Sequence, residues 1–228
     1  VPTADLGDEI NQSLRFRGNS SLTRTFGTTS TTWTSSLWVK RAALNTNAAG
    51  PQQLISFDNG LTQQRFQETD AFLFGDAAIS SSLYRDPSAW YNIVCNCNGT
   101  AARAFINGVE ITDLFSPAPG NRTSGGDTSI GLFSTTELDG YLADVYHIDG
   151  QALLPTAFGR TNDDGVWVPV DYSGSFGSNG FHLDFADSSD IGNDVSGNNN
   201  DFTATGFDTG DVALYSAKLV SSTGSFFA

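Results

Sequence analysis

The sequence predicts an all-β chain folded as an antiparallel sandwich with one short helical turn. Three observations predict it: apolar and polar residues alternate along most apolar stretches, Asn-Gly turns punctuate them, and helical periodicity is almost absent. A single core suits the 228 residues, because sandwiches of this class reach that length as one domain. The 17 Phe, 4 Trp and 6 Tyr supply enough aromatic area to close it.

The elements follow in order. Ser13-Leu14-Arg15-Phe16-Arg17 alternates strictly, and Gly18-Asn19 ends it. In the long strand 32–40, Trp33, Ser35, Leu37 and Val39 share one face. Further strands are expected at 53–57, 65–68, 71–75, 90–97, 101–106, 129–133, 141–148, 180–185 and 212–216. Asn98-Gly99-Thr100 turns the chain between two of these, and Asn107-Gly108 repeats the device, since Asn-Gly accepts positive φ at little cost. Residues 155–159 read as the helical turn, with Pro at the start and Gly at the end. The Pro- and Gly-rich stretch 117–126 reads as an exposed loop. One domain over 13–206 is expected, with arms at 1–12 and 207–228.

Charge and cysteine content narrow the function classes. Lys and Arg total 11 against 25 Asp and Glu, a net charge of −14 whose field repels phosphate backbones and argues against a nucleic-acid partner. No apolar run is long enough for a spanning helix, so membrane insertion is not expected. Cys95 and Cys97 project from one strand face, a poor geometry for a disulfide, and read as buried free thiols.

Five stretches together resemble a concanavalin A-like or laminin-G-like domain: Ser13–Phe16 with Gly18-Asn19, Trp33–Lys40, Trp90–Val94, Ala104–Glu110 and Leu138–Val145. The resemblance implies a jelly-roll sandwich. A narrower likeness covers Tyr141–Gly159, Gly165–Pro169, Gly177–Asp187 and Gly192–Phe202, which are similar to a block in structural proteins of marine tailed-phage virions. That likeness implies a non-catalytic subunit at the virion surface, decorating the head or forming part of the tail or fibre. Its partners would be other virion proteins, and a trimer is the expected closed assembly. The alternative is a receptor-binding lectin module recognising host surface glycan. Phe181–Phe185 and Asp194–Asp201 are similar to the opening strand of an ordinary laminin-G domain, yet here they come last. This implies a permuted sandwich in which 181–185 joins the sheet holding 13–17 and 141–148.

Catalysis is not expected. Glucanases on this fold carry paired carboxylates on one strand face. The nearest approach, Glu137-Leu138-Asp139, is followed by Tyr141 and Leu142 where the second Glu would stand. His147 and His182 are the only imidazoles, both inside strand patterns, and no nucleophile elbow occurs. No cofactor is required. For calcium, Asp187, Asp190, Asp194, Ser196, Asn198 and Asp201 crowd hard oxygen ligands into one loop. The other reading of that loop is a set of Asx turns whose side chains cap their own backbone. For glycan, Tyr84 with Arg85 and Asp86, or Trp90 with Tyr91, would supply aromatic faces beside hydrogen-bonding groups, while Trp33, Trp38 and Trp167 are expected to pack internally.

Overall fold

Alternation in the long strands sends every second side chain to one interior, and the chain closes over it as two stacked antiparallel sheets. The computed structural model describes residues 10, 12–44, 50–99, 101–113, 122–208 and 210–213. In chain order its strands are β1 (Ser13–Arg17), β2 (Ser21–Ser30), β3 (Thr32–Arg41), β4 (Gln52–Phe57), β5 (Thr62–Phe66), β6 (Ala71–Gly75) and β7 (Ala78–Leu83). There follow β8 (Tyr91–Asn98), β9 (Ala102–Ile106), β10 (Val109–Glu110), β11 (Ser124–Ile130), β12 (Leu132–Phe133), β13 (Thr136–Glu137) and β14 (Asp139–Asp149). The last are β15 (Gly159–Thr161), β16 (Trp167–Pro169), β17 (Phe181–Leu183), β18 (Thr203–Thr205) and β19 (Val212–Ala213).

Sheet A has eight strands in the order β10-β9-β8-β3-β14-β1-β19, with β17 also on β14. Sheet B has seven, β18-β2-β11-β4-β5-β6-β7. Two short hairpins, β12-β13 and β15-β16, complete the described strands. The only helical elements among these residues are single 3-10 turns at Asp58–Gly60 and Pro155–Ala157, the second where the Pro and Gly signals place it.

The expected Trp33, Leu37 and Val39 face points into the core, meeting Phe57, Phe66, Phe72 and Phe74 of sheet B. Cys95 and Cys97 lie on the same side, buried and unpaired by disulfide. Sheet A is covered on its other face too, where Tyr146, Ile148 and Phe158 pack under Tyr172 and Phe176.

The permuted-sandwich expectation meets its test at β14. On one edge of that strand, β1 pairs with residues 139–142 and β17 with residues 145–147. The two meet end to end at a register shift between Ala143 and Tyr146, where Asp144 adopts φ +47°. Residues 181–183 therefore sit in the sheet that holds β1.

Other expectations need correction. Strands β2 and β7 were not anticipated, because β2 carries only Leu22 and Phe26 as large apolar residues in ten positions. The proposed loop at 117–126 is a strand from Ser124 onward, with Ser124 and Gly125 buried; residues 117–121 lie outside the described residues. Of the two arms, 1–9, 11, 209 and 214–228 also lie outside them, while Val212 and Ala213 pair with Leu14 and Ser13 and extend sheet A beyond residue 206.

Candidate functional site

The outer face of sheet B is paved with hydroxyl groups. Register aligns Thr203, Thr23 and Ser129 across three strands, ending at a buried Ser56, and sets Thr25 beside Asp127 in the next row. β-Branched threonine suits an exposed strand face and still offers a donor and an acceptor. The Thr25 hydroxyl donates to Asp127 Oδ1 at 2.7 Å, aligning the carboxylate along the sheet. Phe133 and Asn59 flank this face, and the hollow between them encloses about 390 Å³. Gly60 makes the wall: its φ is +84°, and a Cβ there would lie 2.2 Å from the Phe133 ring. Arg24 closes one end by donating to the Asp201 carbonyl at 2.7 Å and to Asn200 Oδ1 at 2.8 Å. The arrangement offers an apolar ring, a carboxylate and several hydroxyls converging on one concavity.

The two sets expected for glycan, Trp90 with Tyr91 and Tyr84 with Arg85 and Asp86, lie as follows. Trp90 and Tyr91 are neighbours at the start of a strand and face opposite ways. Tyr91 packs toward the core and meets Tyr84 edge-on at 5.7 Å, whereas Trp90 packs with Trp38 and Ala143 on the far face of sheet A. Burial raises the pKa of both tyrosine phenols. Arg85 donates to Asp70 Oδ2 at 3.1 Å. The Asp86 carboxylate accepts from the Ser88 hydroxyl at 2.5 Å and its N–H at 2.8 Å, which holds it below the usual carboxylate range. Tyr84 also borders a second hollow of about 400 Å³ with Ile106, Val109 and Ile111. The tryptophans expected inside do pack there in two cases: Trp33 and Trp38 are buried, while Trp167 is half-buried and donates to Asn92 Oδ1 at 3.0 Å.

The acidic loop folds onto its own backbone. Asp194 Oδ1 accepts the N–H groups of His182 at 2.8 Å and Ser196 at 2.9 Å. Its Oδ2 accepts the Asn200 N–H at 2.8 Å and the Ser196 hydroxyl at 2.9 Å. Asp201 Oδ1 takes the Asp194 N–H at 2.9 Å, and Asp187 Oδ1 takes the N–H and hydroxyl of Ser189. The Asn198 amide donates to the carbonyls of Gly177 and Gly180. Asp190 contributes main-chain turns, its N–H donating to the Asp187 carbonyl. These are Asx turns, in which the carboxylates of Asp187, Asp194 and Asp201 accept from nearby donors. Among the described residues no three His, Cys, Asp or Glu side chains converge as metal ligands.

Asp139 and the two histidines weighed for catalysis have other surroundings. Asp139 pairs with Arg15 at 2.5 Å. The His147 ring is sealed between Trp33, Phe57 and Phe181, and burial lowers its pKa to about 4. His182 Nε2 lies 2.9 Å from Asp144 Oδ1, and its ring stacks on Tyr146 at 4.0 Å.

The sequence matches no family model and no curated protein. Solved structures do resemble it. A presumptive carbohydrate-binding protein of Bacteroides ovatus superposes with TM-score 0.61 at 12% identity, over 87% of this chain and 59% of that one. This chain thus spans well under two thirds of that protein. A heptameric pentraxin of Limulus polyphemus gives TM-score 0.48 at 13% identity, covering 66% and 80% of the two chains. The fourth domain of an extracellular arabinanase of Geobacillus stearothermophilus, solved with arabinotriose, gives 0.42 at 15%, covering 63% and 69%. With its own two-sheet topology, the first of these likenesses makes the chain an antiparallel jelly-roll sandwich.

Proposed function

We propose that this chain is a non-catalytic glycan-binding module that holds a neutral saccharide in the hollow on the outer face of sheet B. The observation that carries the reading is the convergence of Phe133, Asp127, Asn59 and the hydroxyls of Thr23, Thr25 and Thr203 on that one concavity. Sugars present an apolar C–H face and a ring of hydroxyls, which an aromatic wall beside a carboxylate and amide complements. The net charge of −14 favours a neutral ligand over an anionic one there. Likeness to the Bacteroides ovatus protein supports the class of function by analogy of fold. The test is a glycan array probed with the wild-type chain and with Phe133→Ala and Asp127→Ala. Binding that both variants lose while their melting stays normal supports the reading; binding that both retain overturns it.

A second reading, attachment within a virion, rests on the phage-like block in residues 141–202. Its expected partners are neighbouring virion proteins in a symmetric assembly. Immunogold labelling of particles tests it, as label on the head or tail supports it and its absence from particles rejects it.

A further inference from the structure

The outer face of sheet A carries a row of alternating rings and cations that the hollow on sheet B does not use. Arg15 pairs in register with Tyr141, and Tyr141 with Lys40. Val39 pairs with Tyr91, so Trp90, one residue earlier, stands beside Lys40. Leu14, Phe16, Val39, Tyr91 and Leu142 take the core side, which turns Arg15, Lys40, Trp90 and Tyr141 outward. All four are half-buried.

Lys40 differs from most of the described cations, although Arg24 and Arg65 also bond neutral groups, Arg24 the Asp201 carbonyl and Asn200, Arg65 the Gln63 amide oxygen. Six described arginines sit in ion pairs with carboxylates: Arg15, Arg17, Arg41, Arg85, Arg103 and Arg122. Lys40 forms none among the described residues. Asp86 feels its charge from beyond ion-pair distance, and Ser88 holds one oxygen of that carboxylate. Arg15 is pinned by Asp139 and lies 5.1 Å over the Tyr141 ring, so it fixes that ring and leaves Lys40 as the available cation. On a chain with 25 acids against 11 bases, a lysine flanked in register by Tyr141 and Trp90 forms no ion pair among the described residues.

We propose that this row binds a carboxylate-bearing sugar residue, the acid on Lys40 and the pyranose face on Trp90 or Tyr141. The acidic field of the whole protein discourages small free anions, so recognition requires both the charge contact and the stacked ring. This site is independent of the hollow on sheet B, and either can stand without the other.

The test is calorimetric titration of the whole chain with trigalacturonate and with its fully methyl-esterified form, which keeps the rings and removes the charges. Trigalacturonate should bind about tenfold more tightly than the ester at low salt, and high salt should erase the difference. Lys40→Gln should abolish that preference and Lys40→Arg should retain it, with unchanged melting temperatures. Equal binding of acid and ester, or a preference that survives Lys40→Gln, overturns the assignment. A neutral glycan bound through Phe133 and Asp127 would persist in that case, which separates failure here from failure of the sheet B reading.

Discussion

The guanidinium of Arg41 and the carboxylate of Asp70 meet 2.8 Å apart with both side chains withdrawn from solvent. Arg41 also donates to Gln52 Oε1 at 2.8 Å and to the Tyr84 carbonyl at 2.7 Å, and it lies over the Phe66 ring. Asp70, at φ +67°, receives Arg85 on its other oxygen. One buried pair thus ties β3 to the chain before β6 and to the segment after β7. Removing one partner strands the other charge in the interior, so Asp70→Ala is expected to cost about 3–5 kcal/mol. Urea unfolding of the variant measures it. A loss under 1 kcal/mol would mean that water reaches the pair.

His147 makes stability depend on acidity. Burial among Trp33, Phe57 and Phe181 holds its pKa at about 4, against about 6.5 in the unfolded chain. Below the unfolded value the unfolded state binds the extra proton, so this residue's contribution is intact above pH 6.5 and is lost as pH falls toward 4. The loss is on the order of 3 kcal/mol at full effect. The ring's backbone contact with Thr34 falls short of hydrogen-bond geometry, so His147→Phe sacrifices little. Melting curves from pH 7 to 4 should drop more steeply for the wild type than for His147→Phe. Parallel curves would place the acid sensitivity elsewhere.

Asp194 organises the loop between β17 and β18. Four donors converge on its carboxylate, three of them backbone N–H groups. Asp194→Ala leaves them without an acceptor, and the expected cost is about 3 kcal/mol. Because those donors already occupy the carboxylate, calcium should not raise the melting temperature of the wild type, and a chelator should not lower it. A calcium-dependent rise would show that the loop opens to take a cation.

The sandwich was legible wherever burial enforced alternation. Strand β6 falls where 71–75 was expected, and β3 faces the way its Trp33, Leu37 and Val39 pattern demands. Asn107 and Gly108 both take positive φ, as a tight hairpin of that composition requires. Strand β2 was hidden because its outward residues are threonines and its inward pair, Leu22 and Phe26, is spaced four apart, as on a helix. That omission also hid the hollow, since Thr23 and Thr25 stand on β2 and their neighbours Asp127 and Ser129 come from a distant strand. Trp90 and Tyr91 cannot face one ligand together, for the opposite reason. They are adjacent in sequence, and adjacency on a strand separates side chains to opposite faces. Lys40 was readable as an outward residue, but its lack of an ion partner emerged only when every described arginine near an acid had been located in space.

Amide chemical-shift mapping with the strongest array glycan tests the central claim most directly. Perturbations clustered on Thr23, Thr25, Asn59, Asp127, Phe133 and Thr203 are the predicted result. Shifts confined to residues 84–91, or no shifts at saturating ligand, would contradict it.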